Sequence, residues 1–280
     1  MSSYAYYNGK FGRREDIAIP LSDRTIFFGD AVYDAAIGSY DRILWEGEHI
    51  DRFLNNAERI GICHSLNKRH LSQLLREIAV KSMLEECHFL YFQLSRNLPE
   101  RNHSATGCGS NLLICIDPID ILPPLRPLRL VTAEDVRYGF CDIKTVNLLP
   151  AVLSMTVAEG AGCDEAVFIR DGIVTECSKS NISILKCGRI ITHPKTNRIL
   201  PGIAREHLLS CAIDIGLKIE EREFTKEELF SADEILVTST TKLCRRVCEI
   251  DGTPVGDKSP EIAVELCGLM YREFTDFCIK

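Results

Sequence analysis

The chain has 280 residues, 45% of them hydrophobic and 26% charged, the make-up of an ordinary soluble globular protein with one large domain or two of average size. A formal net charge of -7 and a pI near 5.6 argue against a nucleic-acid binder, and no basic stripe exceeds the short run Lys68-Arg69-His70. No stretch approaches the roughly 18 apolar residues of a membrane span, and Met1-Ser2-Ser3-Tyr4 opens without a basic region and apolar core, so a cytoplasmic protein without a signal peptide is expected.

In chain order, Arg42-Ile43-Leu44-Trp45 reads as a short strand, followed by Ile50, Phe53, Leu54, Ala57 and Ile60 at helical spacing. Leu71, Leu74, Leu75 and Ile78 mark a second amphipathic helix. His88 to Ser95 and Asn111 to Ile116 are rich in apolar and aromatic residues and read as strands. Pro118, Pro123, Pro124 and Pro127 then crowd one stretch, too dense for helix or central strand. The predicted organisation is an N-terminal α/β domain over residues 1–117, a linker over 118–127 and a C-terminal domain over 128–280. In the second half, Ala166 to Arg170 and Ile173 to Glu176 flank Asp171-Gly172, a pair suited to a type I′ hairpin turn. Ile182 to Leu185 and Arg189 to Thr192 flank Cys187-Gly188 in the same way. A helix beginning near Gly202 turns Ala204, Leu208, Cys211, Ala212 and Ile215 inward; Glu234 to Ser239 is a strand, and Asp251-Gly252 a further turn. Ser259-Pro260 opens a last helix that buries Ile262, Leu266, Met270 and Phe274.

The thirteen cysteines are odd in number and scattered, with no Cys-x-x-Cys pair; Cys244 and Cys248 are the nearest two. A zinc site would want paired spacings and histidine support. Small buried hydrophobes in a reducing compartment are the simpler reading, and no metal is expected.

Lys144 lies among apolar Ile143, Val146, Leu148 and Leu149, so its stem is expected in a partly buried wall. A buried ammonium escapes its desolvation cost by losing a proton, and a neutral amine condenses with aldehydes. Lys144 is therefore a candidate anchor for pyridoxal 5′-phosphate, although a lysine snorkelling from a strand end has the same local pattern. Such a cofactor also needs a partner for its ring nitrogen, an anion cradle, and a donor set for the substrate carboxylate. Glu176, ending a predicted strand, is the candidate for the ring nitrogen. The cradle candidates are the helix start Leu200-Pro201-Gly202-Ile203-Ala204, the strand end Ser239-Thr240-Thr241, and Arg52, off the apolar stripe of its helix. Arg101 and His103, on a loop after a strand, can both donate to one carboxylate. Competing motifs are weaker: Gly107-Cys108-Gly109 lacks the third glycine of a dinucleotide site, and neither a Gly-x-Ser-x-Gly elbow nor a Walker A loop occurs.

Taken together, Arg52, Arg101-x-His103, Ile143-Lys144-Thr145-Val146-Asn147, Thr175-Glu176-x-Ser178-x-Ser180-Asn181, Leu200-Pro201-Gly202-Ile203 and Ser239-Thr240-Thr241, in this order, resemble the class IV aminotransferases. The resemblance runs from Phe28-Gly29-Asp30-Ala31-Val32-Tyr33 to the Asp251-Gly252 turn. It implies an α+β, two-domain fold-type IV pyridoxal phosphate enzyme, with a smaller N-terminal domain and a larger C-terminal domain built on a β-barrel-like core. Arg101-x-His103 is most similar to the carboxylate trap of the D-amino acid aminotransferase branch, which reaches across a homodimer into the partner's site. By that resemblance Lys144 is the catalytic lysine, and Arg52, Glu176, Leu200, Ile203, Ala204, Ser239 and Thr240 bind the cofactor. Tyr33, Arg101 and His103 would meet the substrate. The implied activity moves an amino group between a D-amino acid such as D-alanine and a 2-oxo acid such as 2-oxoglutarate. A branched-chain L-amino acid aminotransferase and an aminodeoxychorismate lyase-type enzyme are the alternatives on the same fold.

Four positions depart from the branch. Ala204 stands where a threonine is usual, Cys177 where a glycine is, and Arg96-Asn97 where Arg-Gly is. Cys244-Arg245-Arg246 replaces a more apolar segment. The last two departures are expected to reshape the substrate pocket rather than the cofactor site.

Overall fold

In the computed structural model of the chain, the described residues are 3–84, 87–98, 101–106, 109–121, 123–124 and 126–279. Leu122 and Leu125 of the expected linker, and Gly107 and Cys108 of the glycine-poor motif, lie outside them. The chain divides into two compact units, Met1–Ile121 with Ile143–Asn147, and Leu122–Asp142 with Leu148–Lys280. The sequence reading placed Ile143–Asn147 in the second domain; its backbone instead clusters with the first unit.

The first unit contains β1 (Tyr4–Tyr7), β2 (Lys10–Arg13), α1 (Thr25–Phe28), β3 (Ala31–Ser39), β4 (Arg42–Ile43), α2 (Glu46–Arg59), α3 (Lys68–Ser82), β5 (Cys87–Arg96) and β6 (Ser110–Pro118). Its strands form one antiparallel sheet in the order β2-β1-β6-β5-β3-β4. The apolar stripes of α2 and α3 (Ile50, Phe53 and Ala57; Leu71, Leu75 and Ile78) are buried with Val32, Ala36, Leu90, Phe92, Ile114 and Ile116 of the sheet. Each such large side chain contributes about 1.5–3 kcal/mol when fully removed from water. Phe53 meets Phe92 edge-on at 4.9 Å, tying α2 to β5. Asn67 caps α3 by accepting from the His70 backbone N–H.

The Ile143–Asn147 segment joins this unit along β3. Tyr33 N–H donates to the Lys144 carbonyl at 2.9 Å, Val146 N–H to that of Ala31 at 3.3 Å, and Val32 bridges Thr145 in antiparallel sense. Asn147 Nδ2 donates to the Gly29 carbonyl at 3.0 Å. Gly29 has φ 58°, and a Cβ there would lie 2.6 Å from Asn147 Oδ1, so glycine is required by backbone and neighbour alike.

The second unit contains β7 (Leu128–Glu134), α4 (Leu149–Gly160), β8 (Glu165–Arg170), β9 (Ile173–Cys177), β10 (Asn181–Lys186), β11 (Arg189–Thr192), α5 (Ile203–Asp214), β12 (Lys218–Glu221), α6 (Lys226–Ser231), β13 (Glu234–Ser239), β14 (Leu243–Ile250), β15 (Thr253–Pro254) and α7 (Pro260–Ile279). The strand order is β12-β11-β10-β13-β14-β7-β8-β9, with β15 on β14. The edge strand β9 turns straight into β10, deep in the same sheet, through a turn closed by Cys177 N–H to the Ser180 carbonyl at 2.7 Å. An edge can reach the interior of its own sheet in so few residues only if the sheet curls, which gives the barrel-like core that the resemblance implies. Val167, Val174, Ile182, Ile184, Ile235, Val237 and Val247 fill that core.

The three expected hairpin turns are present, with both central residues left-handed at Asp171-Gly172, Cys187-Gly188 and Asp251-Gly252. On α7 the inward face differs by one position from the expectation: Ile262 is only half-buried, and Ala263 and Cys267 lie inside with Leu266, Met270 and Phe274. α4 was not anticipated from the sequence; its Leu149, Val152, Leu153 and Val157 are exposed, and Ala158 alone of its residues is buried. No disulfide joins any of the twelve described cysteines. No helix among the described residues is long and apolar enough to cross a membrane.

Candidate active site

Lys144 is half-buried above the buried Ile143. Leu148 and Leu149, expected to crowd the lysine, are 42% and 68% exposed instead, because the chain turns there into α4. What meets the amine is Tyr33. Lys144 Nζ lies 3.3 Å from Tyr33 Oη and 4.3 Å from the centre of its ring. Tyr33 stacks on Tyr91 at 5.3 Å, and burial pushes the Tyr91 phenol well above its ordinary value. The amine is thus placed by a hydroxyl whose ring is itself held by stacking.

Tyr33 precedes Asp34, which is fully buried on β3. Asp34 accepts from Arg52 through Nε to Oδ2 and Nη2 to Oδ1, both at 2.8 Å, and from the Ala35 N–H at 2.8 Å, and it pairs with His49 Nδ1 at 2.8 Å. Burial alone would raise the Asp34 carboxyl, but Arg52 and His49 override it and hold it well below the usual carboxylate range. Burial pushes the His49 imidazole down, against the pull of Asp34. The sequence reading found Arg52 but missed Asp34 and His49. The signals were an acid inside the otherwise apolar strand Ala31–Ser39, and a histidine three residues before Arg52 on the same helix face. Arg52 therefore enters the site with one edge of its guanidinium already fixed.

Arg101 and His103 are exposed, and the structure brings both to Phe28 at the end of α1. The Arg101 guanidinium lies 5.2 Å from the Phe28 ring centre and 5.6 Å from that of Phe27, and the His103 ring meets Phe28 edge-on at 5.2 Å. Of the departures noted above, Arg96 is buried, donating to Asp30 Oδ2 at 3.0 Å and to the Ile60 carbonyl at 2.7 Å.

In the second unit, Glu176 is only 5% exposed. Its Oε2 accepts from Asn181 Nδ2 at 3.0 Å and Leu200 N–H at 3.1 Å, and its Oε1 from Arg137 Nη1. Arg137 also grips Asp135 with two bonds of 2.9 Å, donates to the Arg198 carbonyl at 3.1 Å, and lies 4.5 Å over the Phe168 ring. Burial alone would raise the Asp135 carboxyl, yet Arg137 lowers it overall. The sequence reading missed Arg137 and Asp135, which lie on an irregular loop after β7 with no motif to mark them.

Asn181 also accounts for Gly202. Asn181 Nδ2 donates to the Leu200 carbonyl at 2.8 Å, and a Cβ on residue 202 would lie 2.0 Å from Asn181 Oδ1. Gly202 starts α5 with no side-chain cap, Leu200 is half-buried, and Ile203 and Ala204 are buried in its first turn. Ser239 and Thr240 are half-buried at the end of β13; Ser239 Oγ accepts from Lys242 N–H at 3.2 Å. Lys242 in turn pairs with the fully buried Glu165, which also accepts from Ser180 Oγ at 2.9 Å and Lys179 N–H at 2.7 Å. Cys177 packs into the barrel core. Arg246 is tied to Glu234 at 2.8 Å and Asp257 at 3.3 Å, and Arg245 donates to the Arg126 carbonyl at 3.4 Å.

Residues 31–250 match the family model of the amino-transferase class IV proteins. The chain is 37% identical to a D-alanine aminotransferase of Bacillus licheniformis over 259 residues, 91% of this chain and 90% of that protein. It is 35% identical to one of Staphylococcus epidermidis, over 90% of each chain, and 32% identical to one of Listeria monocytogenes, over 97% of this chain and 96% of the other. Among solved structures it is similar to a branched-chain amino acid aminotransferase with pyridoxamine 5′-phosphate from T.th., with a TM-score of 0.90 at 20% identity over 99% of this chain and 95% of that one. A branched-chain aminotransferase of Thermoproteus uzoniensis gives 0.88 at 22% identity over 99% and 97%. At such identities the structures speak for the α+β fold alone. The chain belongs to the class IV aminotransferase family.

Proposed function

We propose that this chain is a D-amino acid transaminase that uses pyridoxal 5′-phosphate and passes the amino group of a D-amino acid such as D-alanine to a 2-oxo acid such as 2-oxoglutarate. Family membership and the curated relatives named D-alanine aminotransferase support the reading. The observation that carries its substrate side is the seating of Arg101 and His103 on one ring, two donors suited to one carboxylate.

The donor chemistry fits the cofactor. The residues include an amine beside a hydroxyl, a buried carboxylate held by three donors, an arginine oriented by a buried carboxylate, and an uncapped helix N-terminus. When bound, pyridoxal 5′-phosphate supplies an aldehyde for the amino group and a ring that draws electrons from the α-carbon. Lys144 would hold the aldehyde and, once displaced, take the substrate α-proton on Nζ, kept in place by Tyr33 Oη. Glu176 would accept from the ring nitrogen and favour its protonated form, with Arg137, Asn181 and Leu200 N–H fixing the carboxylate. Arg52, oriented by Asp34, would meet the phosphate, and Ile203, Ala204, Ser239 and Thr240 would add backbone and hydroxyl donors. Leu200 would pack on the ring. Arg101 and His103 would bind the α-carboxylate and select the hand of the substrate. Ala204 contributes no hydroxyl, so its part reduces to its N–H.

We further read the enzyme as a cytoplasmic homodimer in which Arg101 and His103 serve the partner's site. The exposed Leu149, Val152, Leu153 and Val157 of α4 form an apolar face that such an interface would cover. Steady-state assay of the purified, cofactor-loaded protein tests the function. D-alanine with 2-oxoglutarate should turn over, whereas L-leucine with 2-oxoglutarate, or aminodeoxychorismate alone, should not. Turnover of L-leucine and not D-alanine would reassign the enzyme to branched-chain L-amino acids, and turnover of aminodeoxychorismate alone to the lyases.

A further inference from the structure

We propose that Arg24 and Phe28 are positioning residues for substrate carboxylate binding: Arg24 grips the backbone of the Arg101–His103 loop, and Phe28 seats both side chains on its ring. The inference rests on the reading of Arg101 and His103 as carboxylate-binding residues. Both are exposed and stand on a loop after β5, so something must hold them if they are to meet a small anion in one geometry.

Arg24 can do so because its own place is fixed. It is 4% exposed. Its backbone N–H donates to the Arg96 carbonyl at 3.2 Å, and its Nε to Asp30 Oδ2 at 2.7 Å, the oxygen that also receives Arg96 Nε at 3.0 Å. Its neighbour Asp23 is 1% exposed; one oxygen accepts from Thr25 N–H at 3.0 Å, and the other from Tyr7 Oη at 2.9 Å, Ser95 Oγ at 2.7 Å and Asn111 Nδ2 at 3.0 Å. From this base the far end of Arg24 reaches the loop: Nη1 donates to the Asn102 carbonyl and Nη2 to the His103 carbonyl at 3.4 Å. The first carbonyl lies between the two functional side chains and the second belongs to His103 itself, so the grip is on the main chain that carries both.

Phe28 supplies the second constraint. Its ring lies 4.3 Å from the Arg24 guanidinium, 5.2 Å from that of Arg101, and 5.2 Å edge-on from His103. An aromatic face attracts cations, so one ring accommodates two guanidinium groups that would otherwise repel each other. Asp30, shared with Arg96, partly offsets the charge of Arg24 and lies on neither Arg101 nor its ring contact. A hold of this kind acts on ground state and transition state alike, because the carboxylate is bound in both, so its loss appears in KM rather than kcat.

The test compares Phe28→Leu, Phe28→Tyr, Arg24→Lys and Arg101→Ala in the cofactor-loaded enzyme. The readouts are KM and kcat for D-alanine and for 2-oxoglutarate, cofactor affinity by absorbance titration, and Tm. Phe28→Leu, which keeps bulk but removes the aromatic face, should raise KM for both substrates about fivefold. Its kcat should stay within about twofold of wild type, with cofactor affinity unchanged. Phe28→Tyr should retain the wild-type KM, and Arg24→Lys should behave as Phe28→Leu. If Arg101→Ala raises KM while Phe28→Leu and Arg24→Lys do not, positioning is overturned and carboxylate binding stands. If Arg101→Ala leaves KM unchanged, both readings fall. A Phe28→Leu variant that loses kcat, cofactor affinity and Tm together also overturns the proposal, since that pattern marks a merely structural residue.

Discussion

Arg137→Met would keep an apolar stem over Phe168 and delete a charge that faces two buried carboxylates. Glu176 would keep its bonds from Asn181 and Leu200 N–H, and Asp135 would keep Arg170 at 3.0 Å and Thr175 Oγ1 at 2.9 Å. Removing one partner of a buried ion pair costs about 3–5 kcal/mol, and the surviving donors place this variant near the lower end, about 3 kcal/mol. For a chain of 280 residues that corresponds to a fall in Tm of about 5 °C. The pH dependence has a definite sign. The Asp135 carboxyl is lowered overall in the fold, so its stabilisation is full above the unfolded-state pKa near 4 and is lost as pH falls through the lower folded value. Wild type should therefore lose stability on acidification below about pH 4, and Arg137→Met should lose less. Circular dichroism melts across that range, with a cofactor titration at neutral pH, measure both effects. A variant that melts within about 1 °C of wild type and keeps the same acid sensitivity would refute the reasoning.

Other substitutions address neighbouring parts of the site. Asp34→Ala strips Arg52 and His49 of their shared carboxylate and should cost about 3–5 kcal/mol, with weaker cofactor binding through the loosened Arg52; chemical denaturation and cofactor titration read the two effects. Because the Asp34 carboxyl is also held low in the fold, the stability it confers should be full at neutral pH and be lost progressively as pH falls below about 4. Gly202→Ala places a Cβ 2.0 Å from Asn181 Oδ1, so it should displace Asn181 from Glu176, costing about 1–3 kcal/mol; a Tm equal to wild type would contradict that packing. Lys144→Ala should abolish turnover while leaving the fold intact by circular dichroism, and near wild-type transamination would remove Lys144 from the chemistry.

Residues in regular patterns were legible in the sequence. α2, α3 and α5 followed from apolar spacing, and the hairpins followed from Asp-Gly and Cys-Gly pairs that tolerate left-handed backbone. Other elements were not legible, for separate physical reasons. α4 carries apolar residues on both sides, Ala151, Met155 and Ala158 opposite Leu149, Val152, Leu153 and Val157, so no polar face marks out a buried stripe. β3 is buried along most of its length, which erases the alternation that marks a strand. In the candidate site, the residues proposed to touch cofactor or substrate were picked out by their chemistry and order along the chain. Those that hold them, Asp34, His49, Arg137, Asp135 and Arg24, act through contacts distant in sequence, such as the 39-residue separation from Arg137 to Glu176. Leu148 and Leu149 show the opposite error: neighbours in sequence, taken to wall in Lys144, that turn away into a helix.

The central claim is that this enzyme acts on the D-enantiomer, and a single half-reaction tests it. Cofactor-loaded protein is mixed with D-alanine or L-alanine in the absence of any 2-oxo acid, and pyruvate is measured. The account predicts about one pyruvate per Lys144 site from D-alanine and none from L-alanine. Pyruvate from L-alanine alone would contradict it.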